Sequence, residues 1–292
     1  MTTLLAVPNV SEGRDADAIF QIGHAFHTLG ARLLDVHSDP DHNRSVFTLA
    51  GQSGRLARAI CAGAGAAIAR IDLRHHDGVH PRVGALDVAP LVYLHDQDRG
   101  AACAEALVLA DLLAHEHGLP VFLYGALAHG RTRAQLRSGG PAALAKKLGD
   151  HETAPDFGPP RLHPTGGAAL VAARPPLIAF NVELAPPARL VDATQIAAAI
   201  RERGRDGLEG VRAIGVWLER RGVAQVSTNV EDHRRTKLAD VVAAIARHAT
   251  PARAELVGLA PRAAFAGFPG HLAMRNRRTI EEALAACGQA PG

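Results

Sequence analysis

The stretch that decides the fold is residues 31–50, which read ARLLDVHSDPDHNRSVFTLA. Its first residues are typical of a strand, and the polar segment Ser38–Asn43, which contains a proline, has to turn. The segment Arg44–Ala50 then alternates, with Phe47 and Leu49 on one face, as a half-buried strand does. Together these features predict a β-hairpin.

A helix and a strand are predicted on each side of this hairpin. Apolar residues at helical spacing mark a helix from about 15 to 29 and another that begins near Leu56, while Leu4–Val7 and Leu86–Leu94 are typical of strands. This β-α-β-β-α-β order is the ferredoxin-like pattern, and it recurs between Leu177 and Leu259. The sequence therefore predicts an α+β protein of two ferredoxin-like (βαββαβ) subdomains, residues 1–175 and 176–292, with a cleft between them.

Composition limits the classes of protein to which the chain can belong. Of the 292 residues, 47% are hydrophobic and 21% charged, no uncharged apolar run approaches the ~18 residues of a membrane span, and the N-terminus lacks the basic stretch of a secretory signal. Three widely spaced cysteines argue against a disulfide framework and against a thiolate zinc site. We expect a cytoplasmic globular protein.

The basic residues of the chain are nearly all arginine. Lysine supplies three of the 32, and the net charge is only +3. Because guanidinium groups suit carboxylates and phosphates, a polyanionic small molecule is a plausible partner. With 4% aromatic residues and no basic tail, binding to nucleic acid is not expected, and neither is binding to a membrane.

Three polar loops of the first half are expected to meet at one end of its sheet. They are residues 9–14, 38–43 and 75–82, which follow or precede strands that the predicted topology brings side by side. Loops on such a scaffold commonly carry function.

The third of these loops contains the best candidate for an acid/base group. It reads His75-His76-Asp77-Gly78-Val79-His80-Pro81-Arg82, and the proline biases His80 to extended backbone next to the strand. An imidazole exchanges protons at neutral pH, and Asp39 or Asp41 across the site could hold its tautomer. We select His80 as the acid/base and Asp39 as the group that orients it.

A metal site at the same loops is the competing interpretation. Nitrogen and oxygen ligands suited to zinc or manganese are abundant there, although Gly78 and Pro81 argue against a helical ligand pair.

Two glycine-containing segments elsewhere give weaker signals. Gly63-Ala64-Gly65 lies in a helical pattern and so lacks the context of a dinucleotide site. The segment Thr165-Gly166-Gly167 is interpreted either as a linker between the halves or as backbone that approaches a flat ligand.

Several segments in order along the chain resemble the formiminotransferase domain family. They are Val7–Gly13, Leu34-Asp35 followed by Asn43-Arg44, His80–Asp87, Ala154–Pro159, Leu177–Asn181, Ala224–Asn229 and Glu255–Leu259. The resemblance covers nearly the whole chain. It implies two ferredoxin-like subdomains with a folate tunnel between them, in a homodimer.

The resemblance also implies roles for particular residues. His80 matches the family's catalytic histidine, and the family's folate-binding segment matches Leu162, His163, Pro164, Thr165, Gly166, Gly167, Ala168, Ala169, Leu170 and Val171. This sequence has Thr165-Gly166-Gly167 where the family often has Ser-Trp-Gly, so an aromatic ring that could stack on folate is missing. Asn9, Arg44 and Arg82 are the candidates for binding the second substrate.

The activity that the resemblance implies is glutamate formimidoyltransferase, a step of histidine degradation and one-carbon metabolism. The formimidoyl group of N-formimidoyl-L-glutamate would pass to N5 of tetrahydrofolate, which is a co-substrate, with no metal. Three alternatives stay open: formyl transfer at the same site, a metal-dependent formimidoylglutamate hydrolase, and a folate-binding protein without catalysis. Because the sequence ends at Gly292, we expect any cyclodeaminase that acts downstream to be a separate protein.

Overall fold

The computed structural model describes residues 2–288, which form two β-sheets with helices packed on them. The strands are β1 Thr3–Ala6, β2 Asn9–Val10, β3 Arg32–Asp39, β4 Arg44–Gln52, β5 Leu86–Val92, β6 Val121–Leu123, β7 Ala169–Arg174, β8 Ile178–Leu184, β9 Val211–Leu218, β10 Val223–Val230, β11 Pro251–Val257 and β12 Met274–Arg275. The helices are α1 Ala16–Phe26, α2 Leu56–Arg70, α3 Arg99–His117, α4 Arg133–Arg137, α5 Gly140–Gly149, α6 Leu190–Ile200, α7 Leu238–Ala246 and α8 Ile280–Ala286. The predicted mixed α+β class is confirmed.

None of the helices in this described part of the chain is long and apolar enough to cross a lipid bilayer. The residues divide into two compact units, one ending at Arg174 and the next beginning at Pro175.

The first unit is built on a seven-stranded sheet. Strands β1 and β2 follow one another in a single line between β4 and β5. Both are antiparallel to β4 and to β5, and β3 pairs with the outer side of β4. On the far side of β5, strands β7 and β6 continue the sheet in parallel. The predicted hairpin is therefore present as β3 and β4.

Helix α1 shows how local sequence sets an element's ends. The Asp15 carboxylate accepts hydrogen bonds from the N–H groups of Asp17 and Ala18 and so caps the first turn. The helix ends at Phe26, three residues before the apolar spacing predicts, because Leu29 and Gly30 adopt positive φ angles of 54° and 86° that turn the chain toward β3.

Hydrophobic cores cover both faces of the first sheet. Alternate residues of a strand point to opposite faces, and in β7 Ala169 and Val171 join the core under α1–α3 whereas Leu170 joins the other. That second core is closed by residues of α4 and α5, among them Leu136 and Leu148. Helices α4 and α5, which the sequence pattern did not predict, thus cover the face opposite α1–α3.

Strand β7 corrects the interpretation of Thr165-Gly166-Gly167 as a linker between the halves. The run Ala168–Ala173 is buried and lies between two parallel neighbours. Parallel strands covered on both faces have continuous apolar sequences. The run therefore lacks the alternation of apolar and polar residues that identifies a strand with one exposed face. Thr165-Gly166-Gly167 is the turn that leads into a central strand.

The second unit has a five-stranded sheet in the order β12-β11-β8-β10-β9. Strands β11, β8, β10 and β9 are successively antiparallel, and β12 is parallel to β11. Its core contains the alternate residues Ile178, Phe180 and Val182 of β8 together with apolar residues of α6 and α7.

Candidate active site

The three polar loops of the first unit meet, as the sequence predicts. The side chain of Asn43 joins all of them, because its Oδ1 accepts a hydrogen bond from the Gly13 N–H at 2.9 Å and its Nδ2 donates to the Asp77 carbonyl at 2.8 Å. Asn43 has a φ of 46°, a left-handed conformation that asparagine tolerates better than most residues. One amide thus fixes the positions of two other loops.

Two glycines allow the loops to approach this closely. A Cβ atom on Gly13 would lie 2.3 Å from the Asp39 carbonyl oxygen, and one on Gly78 would lie 2.7 Å from the His42 carbonyl oxygen. Both distances are far below van der Waals contact, so a larger residue at either position would push the loops apart.

Arg82 braces the loop that carries His80. Its Nη2 donates to the His76 carbonyl at 2.7 Å, and its Nη1 donates to the Gly78 carbonyl at 3.1 Å and to the His80 carbonyl at 3.4 Å. The guanidinium predicted to bind substrate is therefore engaged with the backbone of its own loop.

The His80 ring is held in one tautomer by the backbone. Its Nδ1 lies 2.7 Å from the carbonyl oxygen of Pro81. Since a carbonyl only accepts, Nδ1 carries the hydrogen and donates it, and the lone pair is on Nε2. The ring, which is partly buried, also lies 5.8 Å from the ring of His42, centroid to centroid.

Close to His80 is a buried cluster of charges centred on Asp87. Arg44 Nη1 binds Asp87 Oδ2 at 2.6 Å, Arg137 Nη2 binds the same oxygen, and the Val83 N–H donates to Oδ1 at 2.8 Å. Arg44 and Asp87 are brought together by β2, since Val10 pairs with the residue after Arg44 on one side and the residue before Asp87 on the other.

Burial and charge act in opposite directions on this cluster. Burial alone would raise the pKa of Asp87, but Arg137, Arg44 and the Val83 N–H outweigh it and hold that pKa well below its usual range. Burial lowers the pKa of Arg44 to about 10 against the attraction of Asp87. Both groups therefore stay ionised at neutral pH.

The same surroundings keep His80 neutral. Burial lowers its pKa well below 6.5, and the positive charges of Arg44 and Arg137 lower it further, while Asp87 opposes them. A neutral imidazole with its Nε2 lone pair available is a proton acceptor at physiological pH.

The cluster also has the features of an anion site. Arg137 Nε is buried and has no hydrogen-bond partner, and a buried unpaired donor is costly unless a ligand satisfies it. Arg133, which adds positive charge near Arg44, lies over the Tyr124 ring with its guanidinium carbon 5.6 Å from the centroid. Two guanidinium groups thus bind one carboxylate, and a third adds positive charge near Arg44.

Asp39 and Asn9 lie at the edge of this cluster. Asp39 ends β3 opposite Arg44, and its Oδ1 accepts hydrogen bonds from the N–H groups of Asp41 and His42 at 2.8 and 2.9 Å. The carboxylate predicted to orient His80 therefore shapes the turn between β3 and β4. Asn9 is in β2, with its side chain partly buried.

The segment predicted to bind folate falls into two parts. Leu162–Thr165 is at least partly exposed, and the His163 Nδ1 accepts a hydrogen bond from the Gly166 N–H at 2.9 Å. In contrast, Ala168, Ala169, Leu170 and Val171 have no exposed surface, and their side chains belong to the two cores. Only the first part has side chains that can meet a ligand within this unit.

Sequence reasoning missed two residues of the cluster. Asp87 ends the segment His80–Asp87 and lies in a strand of otherwise apolar residues. A single acidic residue in such a strand indicates a buried ion pair. Arg137 ends α4, a five-residue helix capped by Thr132, and nothing in the sequence distinguishes it from the other arginines.

Comparisons with known proteins place this site in context. Residues 3–174 match the family described as "Formiminotransferase domain, N-terminal subdomain", and residues 179–284 match "Formiminotransferase domain". A solved microcompartment protein of Desulfitobacterium hafniense aligns over 84% of both chains at 10% identity, but its TM-score of 0.24 is too low to carry an argument.

Three relatives from different organisms are similar along most of this chain. The formimidoyltransferase-cyclodeaminase of Sus scrofa is 40% identical over 87% of this chain and 49% of its own length, so the chain spans about half of that relative. The glutamate formimidoyltransferase of Streptococcus pyogenes is 38% identical over 80% of this chain and 78% of its own. That of Thermoplasma acidophilum is 34% identical over 90% of both. The chain therefore belongs to the formiminotransferase domain family.

Proposed function

We propose that this protein is a glutamate formimidoyltransferase, which moves the formimidoyl group from N-formimidoyl-L-glutamate to N5 of tetrahydrofolate. The observation that carries the proposal is a neutral imidazole with one available lone pair, set beside an excess of buried guanidinium groups. The names of the relatives from Streptococcus pyogenes and Thermoplasma acidophilum, which are matched over most of their length, support the same activity.

The chemical step needs one proton to change position. N5 of tetrahydrofolate attacks the amidine carbon of the donor, and a tetrahedral adduct forms. His80 Nε2 removes the proton from N5 and gives it to the glutamate nitrogen as the bond from that nitrogen to the carbon breaks. A positioned acid/base group contributes ~10²–10⁴-fold to such a reaction, and holding the two substrates in contact supplies more.

The guanidinium cluster would bind a carboxylate of the donor. Arg44 and Arg137 each donate one hydrogen bond to Asp87, and the Arg137 Nε–H remains to bind a ligand. Guanidinium groups bind carboxylates through parallel hydrogen bonds, which fix orientation as well as charge. Formimidoylglutamate bound to these guanidinium groups would have its glutamate moiety beside His80.

The remaining predicted residues have supporting positions. Arg82 orders the His80 loop from within, and Asp39 holds the turn that places Arg44, so both would act by positioning. Asn9 remains our candidate for a contact with the donor. For folate we propose the Leu162–Thr165 part of the predicted segment, which presents side chains at the surface, whereas Ala168–Val171 would contribute only by supporting it.

We also propose that each unit is a ferredoxin-like subdomain. In the second unit the strand order β11-β8-β10-β9, with α6 after β8 and α7 after β10, supports this. The homodimer, the cytoplasmic location and a separate cyclodeaminase stay predictions from the sequence.

An assay of products tests the proposed activity. The purified protein would be incubated with formimidoylglutamate or with formylglutamate, each with and without tetrahydrofolate, and glutamate and the folate product would be measured. We expect glutamate release only when tetrahydrofolate is present, and faster release from the formimidoyl donor. Faster turnover of the formyl donor would assign formyl transfer instead, and glutamate release without folate would assign hydrolysis.

A further inference from the structure

A second group of reactive side chains lies on the helices of the first unit. Cys61 in α2 is buried, and its Sγ is 3.4 Å from Nε2 of His117 and 3.5 Å from Oε2 of Glu116, the last two residues of α3. Within residues 2–288 it is the group in which three such residues each offer a ligand atom, one sulfur, one nitrogen and one oxygen, that lies within 4.8 Å of the other two. None of the three residues has a part in the proposed transfer reaction.

The spacing of these atoms fits a tetrahedral metal ion. With Zn–S at ~2.3 Å and Zn–N and Zn–O at ~2.0–2.2 Å, the edges from sulfur to nitrogen and from sulfur to oxygen in a tetrahedron are ~3.5 Å. The two edges from Cys61 already have this length. Binding needs only a small movement of Glu116, which is exposed, toward His117.

Gly65 creates the space that the His117 ring occupies. A Cβ atom at residue 65 would lie 2.8 Å from Cε1 of His117, so the ring packs directly on the backbone of α2 one turn after Cys61. The Gly63-Ala64-Gly65 sequence therefore has a packing cause, since a Cβ on Gly63 would likewise collide with the Phe26 ring, at 2.0 Å. The absence of a side chain at Gly65 therefore lets His117 Nε2 approach the Cys61 Sγ.

We propose that Cys61, Glu116 and His117 form a binding site for one divalent ion of the zinc class, which ties α2 to the C-terminal end of α3. The ion takes the thiolate, the carboxylate and the imidazole Nε2 as ligands, and a water molecule completes the tetrahedron. The Cys61 proton is released to solvent as the sulfur–metal bond forms, and the hydrogen that His117 Nε2 donates to the Cys61 carbonyl is exchanged through solvent for one on Nδ1, which leaves the Nε2 lone pair for the ion.

Without a metal ion, His117 is hydrogen-bonded to the backbone of α2 and Cys61 is protonated, and the ion would replace both of these interactions. His117 Nε2 lies 2.9 Å from the Cys61 carbonyl, which is inside α2 and accepts a helical hydrogen bond as well, so the imidazole can leave it at little cost. Burial and the neighbouring Glu116 raise the pKa of Cys61 to about 12, so without metal the group is a thiol. A bound cation provides the positive charge that a thiolate requires.

Cobalt binding tests the proposal, because Co²⁺ replaces Zn²⁺ at tetrahedral sites and a cobalt–thiolate bond absorbs in the near ultraviolet. The whole protein would be titrated with Co²⁺ while its absorption and the bound cobalt are measured. We expect one ion per chain with thiolate absorption in the unchanged protein and in Cys103→Ser, a matched control in which a cysteine of α3 outside the group is replaced. Cys61→Ser would lose the absorption.

A second variant protects the test against misfolding of the first. Gly65→Ala keeps all three ligands but displaces His117. Since the loss of a residue that only orients a ligand costs ~10–100-fold in metal affinity, we expect cobalt to bind at least about tenfold more weakly to it. The proposal is overturned if no thiolate absorption appears, if it persists in Cys61→Ser, or if Gly65→Ala binds cobalt as tightly as the unchanged protein.

Discussion

Two clusters of charge, one in each unit, are each centred on a buried carboxylate and differ in what surrounds it. In the first unit the Asp87 carboxylate lies between Arg44 and Arg137. In the second, the Glu183 carboxylate lies between Arg221 and Arg275, at 2.8 and 3.3 Å. Each cluster is therefore one carboxylate held by two guanidinium groups.

The next neighbour distinguishes the two clusters. In the first unit it is a further cation, Arg133, whereas in the second it is a further carboxylate, Glu255, 3.4 Å from Arg221. A balanced cluster satisfies its own charges and serves the fold. A cluster with excess positive charge beside a neutral imidazole is suited to an anionic substrate.

The largest effect is expected from removing the imidazole. His80→Ala should lower kcat by ~10²–10⁴-fold, because the reaction loses its acid/base group, while folate binding is retained. The measurement is steady-state kinetics together with a folate binding titration. His75→Ala is the matched control, since that side chain is 80% exposed in the same loop, and its kcat should change little. Near-normal turnover of His80→Ala would falsify the acid/base assignment.

The balanced cluster should respond in stability instead of activity. Removing one partner of a fully buried ion pair costs ~3–5 kcal/mol. Arg221→Gln should cost no more than the lower end of that range, because the Arg221 side chain is 23% exposed and Arg275 stays on Glu183. Denaturant unfolding measures this free energy, and kcat/KM measured well below the unfolding midpoint should be unchanged. A large loss of kcat/KM in the folded variant would mean that the second cluster takes part in substrate binding.

The unbalanced cluster should respond in substrate affinity. Hydrogen bonds to charged groups contribute ~1.5–3 kcal/mol, so Arg137→Gln should lower kcat/KM for the donor by about 10–150-fold, mostly through KM. The KM for tetrahydrofolate should change little. Arg275→Gln is the equivalent change in the other unit. The comparison of the two clusters is wrong if Arg137→Gln leaves the KM for formimidoylglutamate unaltered and Arg275→Gln raises it.

The smallest effect is a change in pH dependence. Because the pKa of His80 is lowered, the imidazole is neutral above its midpoint, and kcat/KM should fall on acidification with a midpoint below 6.5. Arg137→Gln removes a positive charge that disfavours the imidazolium, so that midpoint should move upward. A pH profile of kcat/KM for both proteins measures the shift. A downward shift would contradict the placement of Arg137 near the ring.

The sequence predicted those parts of the fold that have a clear period. The hairpin of β3 and β4, helix α2 and strands β8 to β11 of the second unit could be predicted because one face of each is apolar and the other is not. Strand β7 could not, since burial on both faces removes the alternation, and α4 could not, since five residues are too few to show a helical period.

The same division holds for the candidate site. His80 was predicted from its loop and its proline, and the meeting of the loops followed from topology. The Asp87 and Arg137 pair was missed because an ion pair between residues 50 positions apart depends on packing of α4 against the sheet, which no local pattern records. The metal-ligand group was missed for a related reason, because Cys61 and His117 come together only when α2 and α3 pack.

The bond from His80 Nδ1 to the Pro81 carbonyl has a consequence for the whole catalytic cycle. With Nδ1 bound to the main chain, Nε2 alone would, in the proposed mechanism, remove the hydrogen ion from the incoming amine and give it to the outgoing one. The same hydrogen ion can serve both transfers, so the enzyme finishes each turnover in the ionic form in which it started. No exchange with bulk water is then required between one substrate pair and the next.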